Sequence, residues 1–403
     1  MLFRATLFLG WLALACVGLM GLYLRFTTGH QLASYGNYVP WGLWVAAYIY
    51  FIGLSAGSFV LASVVYVARV KLLAPIGPLA LFMAVVTLLM ALLSIGMDLG
   101  HLNRAGEVGL HANFRSMMAW MIFLYSTYFG VIIVENVLAL VPKLHPWRTR
   151  PGLAGFMARQ VTRIPEEFAE RWLHRLGVFG VPLATAFHGG VGALFATVGA
   201  RPYWHHGLFP IIFLVGALAS GCGGLAALYY AVWPDRGENF RLALGILGRM
   251  VLGLLAFDTL LEWAEFSIPM WQGISHEVGI FNAVLFGPYW WNFWIIHLLL
   301  GVLVPMALLA LGQKRPWMIA LGGGLVAVTF ISVRLNMVVP PLTQPLIEGL
   351  GKAFVSPRMS YEYFPSWFEW SVLAGVLAAG GAVLWAGLRF LPLLPEPAET
   401  RTS

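Results

Sequence analysis

"SIGMDLGHLNRAGEVGLHANFRSMMAW", residues 94–120, gathers Asp98, His101, Arg104, Glu107, His111 and Arg115 between two long apolar runs, 76–99 and 116–141. A bilayer crossing takes about 20 mostly apolar residues. The two runs therefore predict helices that leave and re-enter a membrane, with the charged stretch turning between them. Further apolar runs at 7–25, 41–68, 176–199, 207–233, 242–265, 289–312, 317–335 and 367–390 continue the alternation and bring the expectation to about ten spans. Composition agrees: 60% of the 403 residues are hydrophobic and 10% are charged, against roughly 25% charged in soluble domains. The predicted fold class is an all-α integral membrane protein, with residues 1–403 forming one polytopic membrane domain.

The first run starts close to Met1 behind a single Arg4. It is longer than a signal-peptide core and no A-x-A site follows, so we read it as a retained helix. Cys16 and Cys222 are the only cysteines, both inside spans, too few thiolates for a zinc site or an Fe–S cluster. Orientation follows from Lys and Arg, which cytoplasmic loops retain. The stretch 142–175, "PKLHPWRTRPGLAGFMARQVTRIPEEFAERWLHR", carries Lys143, Arg148, Arg150, Arg159, Arg163, Arg171 and Arg175. It is expected inside, and with ten spans both termini are cytoplasmic as well. The net charge of +7 then reads as a topology signal in a bacterial or archaeal cytoplasmic (inner) membrane, not as affinity for nucleic acid. The outer loops include 199–207, a 266–288 stretch bearing Trp, Gly and Pro, and a long 336–366 segment.

Ionisable residues inside spans cost about 2.5–3.5 kcal/mol each on insertion scales and point to pathways or sites. Ser94, Asp98 and His101 are spaced i, i+4, i+7, which predicts one helix face. Asp258, Glu262 and Glu265 repeat the spacing in the seventh span. Three like charges on one buried face repel, so this triplet is poor packing and calls for shared protons or a cation. His188 in the fifth span, His297 in the eighth and Glu135 in the fourth are further stepping points for protons. Each also has a structural reading: a helix-end ion pair for Asp98 with His101 and Arg104, an interhelical hydrogen bond for His188, and an interfacial contact for Glu135.

"NYVPWGLWVAAYIYFIGLSAGSFV", 37–60, opens the second span with Trp41, Trp44, Tyr48 and Phe51, then small residues that let another helix approach closely. The aromatics are either an interfacial belt or a slot for a flat lipophilic ring. A quinone suits such a slot beside an acid and an imidazole, because its oxygens need hydrogen bonds and its redox chemistry needs proton exchange. Two other functions fit the residues. One is a b-haem variant using His188 and His297; the other is a secondary transporter, which would place its main site near the bilayer centre, whereas Asp98, His101 and Glu265 lie at the outer edge.

"YVPWGLWVAAYIYFIGLSAGS", "SIGMDLGH", "NFRSMMAW", "HGGVGALFATVGARPYWHHGLFPIIFLVGALASG" and "YFPSWFEW", in this order, resemble the NrfD/PsrC-like quinone-interacting membrane subunits from residue 36 to 391. Within these, the ten-span branch that includes the hydrogenase-2 membrane subunit is most similar. The resemblance implies two four-helix bundles with flanking helices: 36–199 with the quinone site, 200–340, then 341–403 as outer loop, last helix and cytoplasmic tail. It implies menaquinone or ubiquinone bound near the periplasmic face, with no haem or Fe–S cluster in this chain. The implied partners are a periplasmic ferredoxin-like Fe–S subunit and a molybdopterin or hydrogenase catalytic subunit, which would carry the terminal chemistry.

The family acid of the third span falls on Asp98, with His101 where the hydrogenase branch has Arg. The family His of the fifth span falls on His188, and the "YFPSWFEW" acid is Glu369. The polysulfide reductase branch has Asn followed one turn later by His, whereas here Asn37 is followed by Trp41, which leaves His101 as the candidate imidazole. The expectation is that Asp98 and His101 exchange protons at a quinone headgroup shaped by Asn37, Trp41 and Arg104. Glu135, His188, Asp258, Glu262 and Glu265 form the candidate proton path, and no metal site is expected.

Overall fold

The computed structural model describes residues 2–273, 275–347, 349–353, 356 and 358–395. Every regular element among them is helical, and ten helices are long and apolar enough to cross a membrane. These are α1 (Leu2–Thr28), α2 (Leu43–Val67), α3 (Gly77–Asp98), α4 (Met117–Leu144), α5 (Glu166–Ala196), α6 (Phe209–Val232), α7 (Glu238–Gln272), α8 (Asn292–Leu311), α9 (Pro316–Val338) and α10 (Trp367–Phe390).

Two helices outrun the apolar patterns that predicted them. α5 starts at Glu166, well before the run at 176–199. Its first turns, "EEFAERWLHR", are charged and so invisible to hydropathy, yet Glu166 and Glu167 sit favourably at the positive end of the helix dipole and Ala169 and Leu173 bury one face. α7 runs to Gln272, carries Pro269 inside it, and stops at Gly273 with φ 69°. Glycine takes that left-handed terminus without strain. A further helix, Ser275–Leu285, fills much of the stretch expected as an open loop. α8 is wound as a π-helix over Asn292–Leu303 and returns to α geometry at Val304.

Lipid offers apolar helices no hydrophobic drive to associate, so close packing must hold them together. α2 packs on α3, α5 and α6, and α4 closes against α3 and α5, giving one group of four helices. α6 packs on α7 and α9, and α8 closes against both, giving a second group. The groups meet where "GLSAGS" crosses α6. A Cβ on Gly221 would stand 2.6 Å from Gly57 Cα, so only glycine permits this approach. α10 lies on α3, and α1 lies on α10, where a Cβ on Gly18 would collide with Gly375 Cα. The rest of α1 is bare: 11% of its apolar window is buried, against 83% for α2. The chain's alternation gathers 29–42, 99–116, 197–208 and the described residues of 273–291 and 339–366 on one loop-rich face, opposite the face that carries the arginine-rich 145–165 stretch.

Candidate functional site

α3 ends at Asp98, and Leu99 turns extended at φ −64°, ψ 125°. His101 therefore leaves the helix, and the predicted Ser94–Asp98–His101 stripe stops at its second member; Ser94 Oγ turns back to the Met90 carbonyl at 2.9 Å. The partners that gather around Asp98 come from α1 and the loop after it. Arg25 Nε donates to the Met97 carbonyl at 2.7 Å, and its Nη2 donates to the Leu99 carbonyl at 2.7 Å and to His30 Nε2 at 2.9 Å. A guanidinium can only donate, so His30 Nε2 is an acceptor and the ring proton sits on Nδ1, which bonds the Tyr35 hydroxyl. Burial, then the charge of Arg25, lowers the His30 pKa and keeps the ring neutral. Burial raises that of Tyr35, with Asp98 and Glu369 adding to the effect, so Tyr35 stays a hydroxyl. Within this web Asp98 Oδ1 is buried and has no hydrogen-bond partner among the described residues.

Glu369, the acid of "YFPSWFEW", is fully buried beside it but differently placed. Its Oε1 accepts from the Tyr363 hydroxyl at 2.5 Å, and its Oε2 from the Ser34 N–H at 3.0 Å, the Ser366 N–H at 3.0 Å and the Ser366 hydroxyl at 3.2 Å. Ser366 and Glu369 form the capping box that starts α10. Tyr363 Oη in turn accepts from the Leu43 N–H at 2.7 Å, and Trp44 Nε1 donates to the Glu369 carbonyl at 3.0 Å. Four bonds match the acceptor capacity of a carboxylate. Glu369 is thus a knot that ties α2, α10 and the 29–42 loop together, while Asp98 keeps an oxygen free.

The remaining predicted site residues stand apart from Asp98. His101 and Arg104 are exposed in the turn after α3. Asn37 is exposed and anchored through its backbone N–H to the Arg358 carbonyl at 2.8 Å. Trp41 stacks on Trp204, with ring centroids 5.7 Å apart, and meets Phe195 edge-on, so it faces the α5–α6 connection. Among the described residues, no hydrogen bond or ring contact joins these four to Asp98. Arg25 and Tyr35 are instead in electrostatic reach of Asp98, and the spacing pattern singled out neither them nor His30. The signal for Arg25 was a cation in the last turn of an apolar span.

A second polar line runs through the other helix group. Asp258, Glu262 and Glu265 do share the face of α7. His297 Nε2 bonds Glu262 Oε2 at 2.7 Å, which occupies one of the two nitrogens that a haem iron would need. Glu265 faces His206 Nε2 at 3.8 Å. Arg334 of α9, also not foreseen, is fully buried. Its Nη2 donates to the Phe213 carbonyl at 3.1 Å, and its guanidinium lies over the Phe213 ring at 4.5 Å. It stands in electrostatic reach of Asp258 and Glu265 on α7 and of His188 on α5. Asp258 Oδ1 and both His188 nitrogens are buried without hydrogen bonds among the described residues. An open groove of about 430 Å³, lined by His206, Glu265, Gln272 and Glu277 among others, leads to this line from the loop-rich face. Glu135 lies apart in the first group, near Gly180, with both oxygens buried and unbonded among the described residues.

Residues 31–343 match the model of the family described as polysulphide reductase, NrfD. The chain belongs to the NrfD family. A selenate reductase subunit of Mesobacillus selenatarsenatis is 36% identical to this NrfD-family protein over 90% of the chain and 88% of its own length. The Hdr-like menaquinol oxidoreductase integral membrane subunit of Archaeoglobus fulgidus is 28% identical over 96% and 93%. The menaquinone reductase integral membrane subunit of Nitratidesulfovibrio vulgaris is 25% identical over 97% and 93%. This NrfD-family protein is an integral membrane protein of ten spans. The matched segment starts after α1 and ends before α10, so Arg25 and Glu369 reach the Asp98 cluster from helices outside it.

Proposed function

We propose that this NrfD-family protein is the membrane subunit of a respiratory oxidoreductase complex and that it binds quinone or quinol at the loop-rich face, at the end of α3. The observation that carries the reading is the buried, unpartnered Oδ1 of Asp98 next to a Glu369 whose acceptor capacity is used up. Two of the relatives are named for menaquinol or menaquinone chemistry, which supports menaquinone ahead of ubiquinone as the ligand.

The residues fit such a ring. Asp98 offers a hydrogen-bonding and proton-accepting group, and the Tyr35 and Trp44 rings, 5.8 Å apart, offer an apolar wall. His101, three residues beyond Asp98 and exposed, passes the proton on to water. Asn37, Trp41 and Arg104 border the mouth, and the tail lies among the apolar faces of α2 to α5. A bound quinol supplies two electrons and two protons. Asp98 takes the two protons one after the other, each handed through His101 to water, Arg25 holds the end of α3 in place, and the two electrons pass to a ferredoxin-like Fe–S subunit docked on this face, itself joined to a molybdopterin or hydrogenase catalytic subunit; quinone reduction is the reverse. The loop-rich face is then periplasmic, and the arginine-rich face and both termini are cytoplasmic. Glu265, Glu262 with His297, Asp258 and Arg334 form the proton path of the second group, which reaches His188 on α5 of the first, where Glu135 also lies.

Asp98→Asn in the assembled complex tests the site. Quinol-dependent turnover should fall about a hundredfold or more, the usual contribution of a positioned acid or base, while assembly and turnover of the catalytic partner with an artificial donor persist. Normal quinol turnover in both Asp98→Asn and His101→Ala would sink the assignment.

A further inference from the structure

Between Asn136 and Pro165 the sequence has no acidic residue and holds Lys143, Arg148, Arg150, Arg159 and Arg163. The helix Gly152–Val161 lies in this stretch. One side of it is packed: Ala158 is fully buried against Leu140, Leu144 and Leu393, at the ends of α4 and α10. The helix therefore lies across the ends of the spans, at the level where they leave the membrane. Its other side exposes Phe156 and Met157, 52% and 45% accessible. The basic residues precede, share and follow the same helix. The Arg150 guanidinium stacks 4.0 Å over Trp147, Arg159 Nη1 reaches back to donate to the Arg148 carbonyl at 3.0 Å, and Arg163 follows the other end of the helix. At the start of α5, Phe168 and Trp172 are exposed too, with Arg175 5.5 Å over Trp172. The nearest acid, Glu166, pairs with His145 at 3.3 Å.

A solvated basic loop has no use for an outward Phe and Met. Apolar side chains at acyl depth with guanidinium groups at phosphate depth are what an interfacial helix presents to anionic lipid. We infer that the helix Gly152–Val161 and its arginines form a binding site for anionic phospholipid, with Phe156 and Met157 inserted beside the acyl chains and Arg148, Arg150, Arg159 and Arg163 on the phosphodiesters. Zwitterionic lipid fills the apolar part of the site but not the charge.

The test uses the purified complex in nanodiscs of phosphatidylcholine doped with phosphatidylglycerol, with retained lipids counted by native mass spectrometry. Phosphatidylglycerol should be enriched over its share in the bilayer. Arg163→Gln and Arg159→Gln should each cut the enrichment by about fivefold, and Phe156→Ser should weaken retention of both lipids. Arg163→Gln breaks no side-chain hydrogen bond seen among the described residues, so it separates lost charge from misfolding. Equal retention of the two lipids by the unaltered complex, or enrichment unchanged in both arginine variants, would overturn the inference. So would protection of Arg159 from a glyoxal reagent by a soluble subunit in lipid-free detergent.

Discussion

Arg25 closes the end of α3, donating from Nε to the Met97 carbonyl at 2.7 Å. The last carbonyls of a helix lack partners within it and carry the negative end of its dipole, so a guanidinium there fixes where the chain turns after Asp98. Arg25→Gln should lower quinol-dependent turnover by about tenfold, since hydrogen bonds from charged groups are worth about 1.5–3 kcal/mol. Arg25→Lys, which keeps the charge but not the fork, should recover part of it. Steady-state kinetics of the three forms decide this; equal rates would detach Arg25 from the site.

Asp98 and Glu369 are neighbours with opposite assignments, and one pair of variants separates them. Tyr363→Phe strips a donor from Glu369 and leaves the Leu43 N–H without its acceptor. It should destabilise the complex by about 1–3 kcal/mol with little change in KM for quinol. Asp98→Asn should do the reverse, holding the melting temperature and losing turnover. Thermal unfolding in detergent beside kinetics reads both.

His30 makes stability depend on pH. Its folded-state pKa lies below the ordinary value of about 6.5, so on acidification the unfolded chain takes up the proton first. The stabilisation is full above about pH 6.5 and is lost as pH falls through the lower folded value. The melting temperature should drop from pH 7 toward pH 5, and His30→Gln, which still accepts from Arg25, should flatten the slope. Parallel slopes would remove His30 as the cause.

Glu262 and His297 form the shortest contact of the second polar line, 2.7 Å. Glu262→Gln and His297→Ala should abolish proton movement coupled to turnover in proteoliposomes while quinol turnover itself continues. A pH-sensitive dye inside the vesicles measures it. Unchanged proton movement in both variants would leave the line a packing feature.

Gly57 tests the seam between the helix groups. A Cβ there would collide with the Ala217 carbonyl oxygen, and overpacking of this kind costs about 1–3 kcal/mol. Gly57→Ala should lower the melting temperature of the complex, whereas Gly10→Ala, with nothing near its Cβ among the described residues, should not.

The ten spans were legible because each is a long run of one kind of residue, and the small residues of "GLSAGS" announced a close helix without naming α6 as the partner. Charged helical turns such as 166–175 were not legible, because hydropathy counts their charges against them while burial of Ala169 and Leu173 favours the helix. The α7 carboxylates kept their common face because α7 runs on to Gln272. The Asp98 stripe did not, because α3 stops at Asp98 itself. Periodicity compares residues along one helix, whereas the Asp98 cluster is assembled across α1, α3 and α10. Arg25 and Arg334 carried a signal all the same: each is a cation in an apolar span, which is expensive unless something holds it.

α1 touches the protein at Gly18 and Gly21 against α10 and, through Arg25, at the end of α3, and leaves most of its remaining surface bare. Its apolar stretch, residues 5–24 between Arg4 and Arg25, measures about 30 Å at 1.5 Å per residue, which matches the ~30 Å of a hydrocarbon layer. The end of the helix on the loop-rich face carries Arg25. A bilayer thinner than this stretch would tilt the helix and carry with it the guanidinium that closes α3, so the prediction is that acyl chains much shorter than the span disturb the turn after Asp98.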